Sequence, residues 1–336
     1  MTPTLVDIAR ETRTSVSTVS RVLSGGAMAN RISKETRQRV QEVADRLGYR
    51  PNLLARSLRT RRTYTIALLV SDISNTFFAQ LGSLVEQSLA KHGYSLMLCN
   101  SGENLDQEGG YLRLMAAKGI DGMIVVPLAD NKERITQHVP PTMPLVILDR
   151  PITGIESTVS TDQDQSATIL CDALKEMGVE RVALVCGPQR VVTHQKRGEI
   201  VSQRFEVLSR HNGPAQKATG REAFAQFAHL VPQLQAVVCT NNFLAQGVLE
   251  ALGNVDNPPI IGVFDEIPTM NLLRFPIVCS MQDIPALADA CVSQILRLLD
   301  DNDGGPVKPI ELKARIVTNP AFEQLKARAR RASPVS

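Results

Sequence analysis

From Thr65 to Ser280, short apolar runs of strand length alternate with helical stretches, and this alternation most narrows the folds open to the chain. Thr65-Ile66-Ala67-Leu68-Leu69-Val70 opens the series and is followed by a polar loop, Ser71 to Thr76, and a helical pattern from Phe77 to His92. Further strands are predicted over Tyr94–Cys99, Gly122–Val126, Leu145–Leu148, Val182–Cys186, Ala236–Cys239, Ile260–Val263 and Ile277–Ser280. Helices are predicted over Asp106–Lys118, Ser166–Met177, Asn242–Leu252 and Asp283–Leu299. Strands that are apolar throughout are buried on both faces, so the pattern predicts parallel sheets with helices on each side. Roughly 270 residues is generous for one such sheet and comfortable for two lobes.

Ligands of open parallel sheets sit beyond the carboxyl ends of the strands, which directs attention to the residues that follow each run. Ser71-Asp72-Ile73-Ser74-Asn75, Asp149-Arg150, Thr240-Asn241-Asn242 and Phe264-Asp265-Glu266 stand there. Carboxylates accept from hydroxyls, amides both donate and accept, and a guanidinium donates as a fork that also fits phosphate. The competing explanation is ordinary turn chemistry, because Asp and Asn are common wherever a strand ends.

Ahead of this core the sequence has another character. Leu5, Ile8 and Ala9 repeat at helical spacing, Ser15 is a good N-cap, and Val19, Val22 and Leu23 give a second short helix its own inner face. Val16, Ser17, Thr18, Ser20 and Arg21 are left outward. Hydroxyls reach base edges or phosphates, Val16 suits a thymine methyl and Arg21 suits guanine or a phosphate, so this pair of helices reads as a helix-turn-helix. Ser33 caps a third helix, Lys34 to Leu47, which Gly48 stops. Pro51 restarts the chain, and Leu53 to Arg62 spell a basic helix of under three turns. So short a helix is marginal alone. Either it folds as a hinge when two copies meet on DNA, with Leu58 wedged into the minor groove, or it is a basic linker.

Charge follows the same division. Residues 1–63 carry thirteen Lys or Arg against five acids, a net +8, whereas the rest of the chain carries 24 basic against 29 acidic residues, a net −5. A basic head on an acidic core fits a polyanion partner whose affinity falls steeply with salt. A membrane surface fits poorly, since the head lacks the apolar aromatic face of an interfacial helix and the chain has no Trp.

Enzyme chemistry finds no purchase. There is no Gly-x-Gly-x-x-Gly after a strand, no Gly-Lys-Ser/Thr phosphate loop and no Gly-x-Ser-x-Gly elbow, so no cofactor is expected. The five histidines lack metal-ligand spacing, with only His194 near the proposed pocket, and no metal is expected. Six cysteines in apolar contexts, with no Cys-x-x-Cys pair, read as core residues of a reducing compartment. With no signal peptide and no bilayer-length apolar run, the chain is expected to be cytoplasmic.

Asp7-Ile8-Ala9, Thr18-Val19-Ser20-Arg21-Val22-Leu23, Ile32-Ser33, Thr36, Gly48-Tyr49-Arg50-Pro51-Asn52 and Ala55-Arg56-Ser57-Leu58 resemble the head and hinge of the lactose-repressor (LacI) family of transcription regulators. The resemblance implies a helix-turn-helix head on a two-lobed core like the periplasmic binding proteins, acting on carbohydrate-metabolism genes as an allosterically controlled repressor. It implies a homodimer on palindromic operator DNA, with a tetramer left open although no coiled-coil heptads follow Phe322. DNA contacts are expected from Thr4, Ser15, Val16, Ser17, Thr18, Ser20, Arg21, Asn52, Ala55, Arg56 and Leu58. Effector contacts, to a sugar or sugar phosphate, are expected from Asp149, Arg197, Asn241 and Asp265, with Asn75, Phe78 and Arg150 as secondary positions. The implied organisation is a head at 1–50, a hinge at 51–63, a core at 64–325 and a frayed basic tail at 326–336. Within the core, lobe 1 takes 64–161 and 284–312, and lobe 2 takes 162–283 and 313–325.

Some positions depart from the family pattern. Arg13 stands where the turn of the reader usually has Gly, Arg197-Gly198-Glu199-Ile200-Val201 replaces an Arg-x-x-Gly-Phe run, and Asn241-Asn242 replaces an Asn-Asp pair. The usual Gly-Phe-Asp run reads Gly262-Val263-Phe264-Asp265, with an extra residue. Leu148-Asp149-Arg150, the long Ala27–Ile32 segment and Leu244 to Val248 are similar to the fructose and sucrose repressors. The competing expectation is a sugar-binding module whose head binds DNA without sequence preference.

Overall fold

The computed structural model describes residues 3–24, 31–49, 62–253, 255, 257–300 and 307–332. The chain divides between Thr63 and Tyr64 into two compact units. In the first, helices α1 (Leu5–Thr12), α2 (Val16–Ser24) and α3 (Lys34–Leu47) enclose a small core of Ile8, Ala9, Val19, Val40, Val43 and Ala44. Ile8, Val19 and Val40 are fully buried. At roughly 1.5–3 kcal/mol for each such side chain, these residues give three short helices a stability that none has alone. Ser33 caps α3 by accepting from the Thr36 amide, and Gly48 ends it with φ +65°. The hinge expectation and its contacts Asn52, Ala55, Arg56 and Leu58 lie outside the described residues, as does most of Ala27–Ile32.

The second unit alternates strand and helix: β1 (Thr65–Val70), α4 (Thr76–Lys91), β2 (Ser95–Asn100), α5 (Leu105–Ala117), β3 (Gly122–Val125), α6 (Lys132–Thr136), β4 (Leu145–Leu148), β5 (Thr158–Thr161) and α7 (Gln163–Lys175). It continues with β6 (Arg181–Cys186), α8 (Val192–Arg204), β7 (Glu206–Asn212), α9 (Lys217–Phe227), β8 (Ala236–Cys239), α10 (Asn242–Leu252), β9 (Ile260–Phe264) and β10 (Ile277–Met281). Helix α11 (Ile284–Leu299), β11 (Ile310–Leu312), β12 (Arg315–Thr318) and α12 (Pro320–Ala332) complete it.

Two six-stranded sheets result, in the orders β11-β5-β4-β3-β1-β2 and β12-β10-β9-β8-β6-β7. Strand for strand the two orders are the same, so the lobes repeat each other in topology. All pairings are parallel except β10 with β12, which is antiparallel. Each sheet is covered on both faces, the first by α4 and α11 on one side and α5 on the other, the second by α9 and α10 opposite α7 and α8.

The chain crosses between lobes three times, after β5, after β10 and between β11 and β12. These crossings are tied together. Gln165 accepts from the Ala314 amide at 2.9 Å and donates to its carbonyl at 3.1 Å, while Thr161 Oγ1 donates to Gln282 Oε1 at 2.5 Å. The short strands β5, β7, β11 and β12 and the helices α8 and α9 had no counterpart in the sequence pattern. β7 is a half-exposed edge strand, and α8 begins at Val191 with no side-chain cap. The tail also differs from expectation, for residues 326–332 continue α12 rather than fraying. Phe322, 1% exposed, plugs that helix into the second lobe, and Asn319 donates to the Phe275 carbonyl at 2.8 Å and accepts from the Ile277 amide at 2.9 Å.

Candidate functional site

In the head, the expected contact residues serve local structure as well as the outer face. Thr4 is the N-cap of α1 in a reciprocal capping box: its backbone N–H donates to Asp7 Oδ2 at 2.9 Å, and its side chain accepts from the Asp7 amide. The Thr4 hydroxyl, which donates to Asp7 Oδ2 at 2.7 Å, and the Thr4 backbone N–H together hold the Asp7 carboxyl below its usual range. Ser15 Oγ accepts from the Thr18 amide at 3.0 Å, as an N-cap should, and lies 2.8 Å from the hydroxyls of both Ser17 and Thr18. Ser15, Val16, Ser17 and Arg21 are exposed, while Thr18 and Ser20 are half-buried. The turn between the helices is left-handed at Arg13, φ 53° and ψ 43°, where a Gly would meet no steric objection.

In the core, the structure brings all seven expected effector residues to one cleft. Asn75, Phe78, Asp149, Arg150, Arg197, Asn241 and Asp265 line it, with residues from both lobes. The topology explains the convergence: Asp149 follows β4, Asp265 follows β9, and Asn75 and Asn241 cap α4 and α10. The cleft is nearly closed, its volume being about 30 Å3, room for little more than a water.

Backbone strain marks the two aspartates. Asp149 has φ +68° and Asp265 φ +71°, so each turns its strand end through the left-handed region to aim a carboxylate inward. Non-glycine residues held there cost roughly 1–3 kcal/mol apiece and cluster at functional sites. Nothing in residue type alone distinguished these from other loop aspartates.

Two guanidiniums fill the space between. Arg150 donates through Nη1 to the Pro127 carbonyl at 3.3 Å and through Nη2 to Ser71 Oγ and Glu103 Oε1, each at 3.2 Å. Arg197 donates through Nε to Gln163 Oε1 at 2.8 Å and through Nη1 to the Thr240 carbonyl at 2.9 Å, with Asp265 Oδ2 3.6 Å away. Its guanidinium carbon lies 4.6 Å from the Phe264 ring centroid, so that ring supplies an aromatic seat for the cation. Burial raises the Asp149 carboxyl, opposed by the neighbouring Arg150 and Arg197 charges.

Three buried polar atoms here have no hydrogen-bond partner: Asp149 Oδ1, Glu103 Oε2 and Arg150 Nε. Buried polar atoms left unpaired are expensive, and their concentration in one cleft is the mark of a site awaiting donors and an acceptor.

Sequence reasoning missed other members. Gln282 stands directly after β10, so the rule applied to four other strands would have found it; its Nε2 donates to Asp265 Oδ1 at 2.8 Å. Glu103, in the loop after β2, and Thr193 also line the cleft, as does Asp72 of the loop after β1 that the sequence pointed to. His194 lines it too, its Nδ1 2.8 Å from Thr240 Oγ1, and burial pushes its pKa well below the ordinary value, so the imidazole is neutral. A Cβ on Gly187 would stand 2.5 Å from His194 Nε2, which makes Gly187 the residue that admits the ring.

Asn75 and Asn242 meet across the two lobes. Asn75 Nδ2 donates to Asn242 Oδ1 at 3.1 Å and Asn242 Nδ2 donates to Asn75 Oδ1 at 3.0 Å, a reciprocal amide pair with both residues buried. Among the described residues no cluster of His, Cys, Asp and Glu is arranged to hold a metal, and no helix is long and apolar enough to cross a membrane.

Comparison with known proteins agrees with this architecture. Residues 4–52 match the model of bacterial regulatory proteins of the lacI family, and residues 63–267 match that of periplasmic binding proteins and the sugar-binding domain of the LacI family. The ribose operon repressor of Bacillus subtilis (strain 168) is 34% identical over 289 residues, covering 82% of this chain and 85% of that protein. Catabolite control protein A of Priestia megaterium is also 34% identical, over 203 residues that make up 59% of each chain. The lac repressor dimer bound to operator and the anti-inducer ONPF has the same fold, with a TM-score of 0.78 at 18% identity over 94% of this chain and 98% of that one. The narrower expectation of a fructose- or sucrose-type branch draws no support from these relatives. The family is one of regulators rather than enzymes, and the chain belongs to it: it is a member of the lacI family of bacterial regulatory proteins.

Proposed function

We propose that this protein is a sequence-specific repressor of carbohydrate-metabolism genes, binding palindromic operator DNA as a homodimer under the control of an uncharged, hydroxyl-rich effector held in the cleft. The observation that carries the effector assignment is the set of orphaned atoms, Asp149 Oδ1, Glu103 Oε2 and Arg150 Nε. Two of the three are acceptors on carboxylates, and hydroxyl hydrogens are what they lack.

Charge argues against a sugar phosphate. Four carboxylates line the cleft, Asp72, Glu103, Asp149 and Asp265, against the two cations Arg150 and Arg197, whose donors are largely taken by protein acceptors, and His194 is neutral. A phosphate dianion would meet net negative charge in a poorly hydrated site, a costly arrangement.

DNA reading rests on the exposed Ser15, Val16, Ser17 and Arg21 of the second helix and its start, supported by Thr4, Thr18 and Ser20, and on the +8 charge of residues 1–63. Asn52, Ala55, Arg56 and Leu58 complete the assignment through the hinge. The relatives named ribose operon repressor and catabolite control protein point the same way.

Selection of bound sequences from random duplex DNA at physiological salt, with and without neutral sugars, fructose 1-phosphate and fructose 1,6-bisphosphate, tests this. The expected result is an enriched palindrome whose retention changes with a neutral sugar. An effect of the phosphates alone would overturn the effector class, and no enriched sequence would replace the repressor with a module whose head binds DNA without preference.

A further inference from the structure

The chain enters the core at Tyr64, and it does so through a backbone conformation that tyrosine disfavours. Tyr64 has φ +54°, in the left-handed region where a Cβ crowds the following carbonyl oxygen. A strand that simply began here would run extended from its first residue. Thr65 already belongs to β1, so the turn is confined to one residue at the strand's entrance.

That residue is held from several sides. Its backbone N–H donates to Asp121 Oδ2 at 2.6 Å, its carbonyl accepts from the Ser95 amide at 2.9 Å, and its ring centroid lies 5.7 Å from that of Tyr94. Asp121 is placed in turn by its own amide, which donates to the Thr65 carbonyl at 2.9 Å. Ser95 opens β2 and Asp121 directly precedes β3, so Tyr64 is tied to the starts of both strands that flank β1. The carboxylate gives the Tyr64 N–H a charge-assisted acceptor, stronger than a neutral one. Strained backbone persists only where its surroundings over-determine it, and it gathers where the strain has a use.

Position in the fold suggests the use. β1 has six residues, about 20 Å at roughly 3.3 Å each, and is buried from Ile66 to Val70. Beyond its carboxyl end, Ser71 Oγ accepts from Arg150 Nη2 in the cleft at 3.2 Å. At its other end stands Tyr64, the first residue of the core unit. One buried strand therefore runs from the cleft to the point where the chain from the head joins the core.

We propose that Asp121 is a positioning residue for DNA binding: by holding Tyr64 left-handed it fixes the direction in which the preceding residues leave the core. Operator affinity then depends on a carboxylate that lies neither in the cleft nor on the DNA-reading helix. The inference rests on the reading of the head as a sequence-specific DNA binder.

Equilibrium binding of the full-length protein to the enriched palindrome and to random duplex of the same length tests it. Asp121→Ala, and Tyr64→Pro, which removes the N–H and fixes φ negative, are expected to weaken palindrome binding by roughly tenfold or more, the scale of coupling between linked sites, while random-duplex binding is unchanged. Asp121→Asn, which keeps a side-chain oxygen as acceptor, and Tyr64→Gly, which keeps the N–H and adopts the turn freely, are expected to bind like the wild type. The Pro and Gly pair carries the test should Asp121→Ala impair folding. Undiminished palindrome binding by folded Asp121→Ala or Tyr64→Pro would overturn the inference, as would an equal loss on both DNAs. Tyr64→Gly as impaired as Tyr64→Pro would assign the effect to the ring and likewise overturn it. No enriched palindrome with the wild-type protein would remove the DNA reading itself together with the inference.

Discussion

Arg13 holds a backbone conformation that costs a residue with a Cβ roughly 1–2 kcal/mol and costs glycine nothing sterically. Glycine pays instead in unfolded-chain entropy, so Arg13→Gly is expected to stabilise the head by about 0.5–1 kcal/mol net. Slower amide exchange in residues 5–24 of the full-length protein would show it; unchanged or faster exchange would contradict it. His194 supplies a pH dependence. Its folded-state pKa lies well below 6.5, so between the two values the unfolded chain binds more protons than the folded one and stability rises with pH. This contribution is fully present above about pH 6.5 and is lost as pH falls below it. Denaturant titrations from pH 7.5 to 5 should therefore show a shallower loss for His194→Gln than for the wild type, with equal slopes counting against the assignment. At this scale the residue types were legible, since Asp149, Arg150 and Asp265, which directly follow strands, are in the cleft. Their positive φ, their burial and the neutral state of His194 were not, because each depends on neighbours distant in the chain.

Helices α9 and α10 cross at backbone contact. A Cβ on Gly220 would stand 2.1 Å from the Leu244 carbonyl oxygen, and one on Gly247 would stand 2.0 Å from that of Lys217. Rigid backbone cannot yield as a side chain tip can, so Gly247→Ala is expected to destabilise the core by roughly 3 kcal/mol, at the upper end for an overpacked site. An unfolding midpoint unchanged by that substitution would mean the helices separate at little cost. The pattern of strand and helix foretold α10 but not α9, and so not their contact. α10 carries a continuous apolar face from Leu244 to Leu252, whereas α9 buries only Thr219, Gly220, Ala223 and Phe227. α12 was missed for the same reason: one aromatic, Phe322, and one asparagine, Asn319, dock a helix that is otherwise charged and exposed.

Across the whole core, the Asn75–Asn242 amide pair joins the lobes over a cleft with room for little more than a water. Two reciprocal hydrogen bonds at roughly 1 kcal/mol each make the pair a latch on the closed arrangement. Asn75→Ala and Asn242→Ala are expected to open the ligand-free protein, raising its radius of gyration in solution scattering. Their double-mutant cycle should give a coupling of about 1–2 kcal/mol, and additivity would show that the pair does not act together. Under the proposed function, any factor by which effector changes operator affinity must reappear in effector affinity when operator is bound. A factor of one, with operator affinity unchanged by effector, would contradict control of DNA binding by the cleft.

The sequence by itself determined the class of protein: a basic helical head, an alternating core of parallel strands, and the polar residues at the strand ends, all of which follow from local periodicity and charge. Only the tertiary structure decided how those residues act. Pairing two sheets of identical order brings Asp149 and Arg150 opposite Arg197, Asn241 and Asp265, and adds Gln282 and Glu103. Periodicity reports which side of an element is buried, but the space between two lobes is set by contacts more than a hundred residues apart, such as Asn75 with Asn242 and Thr161 with Gln282, and these leave no trace in a local pattern.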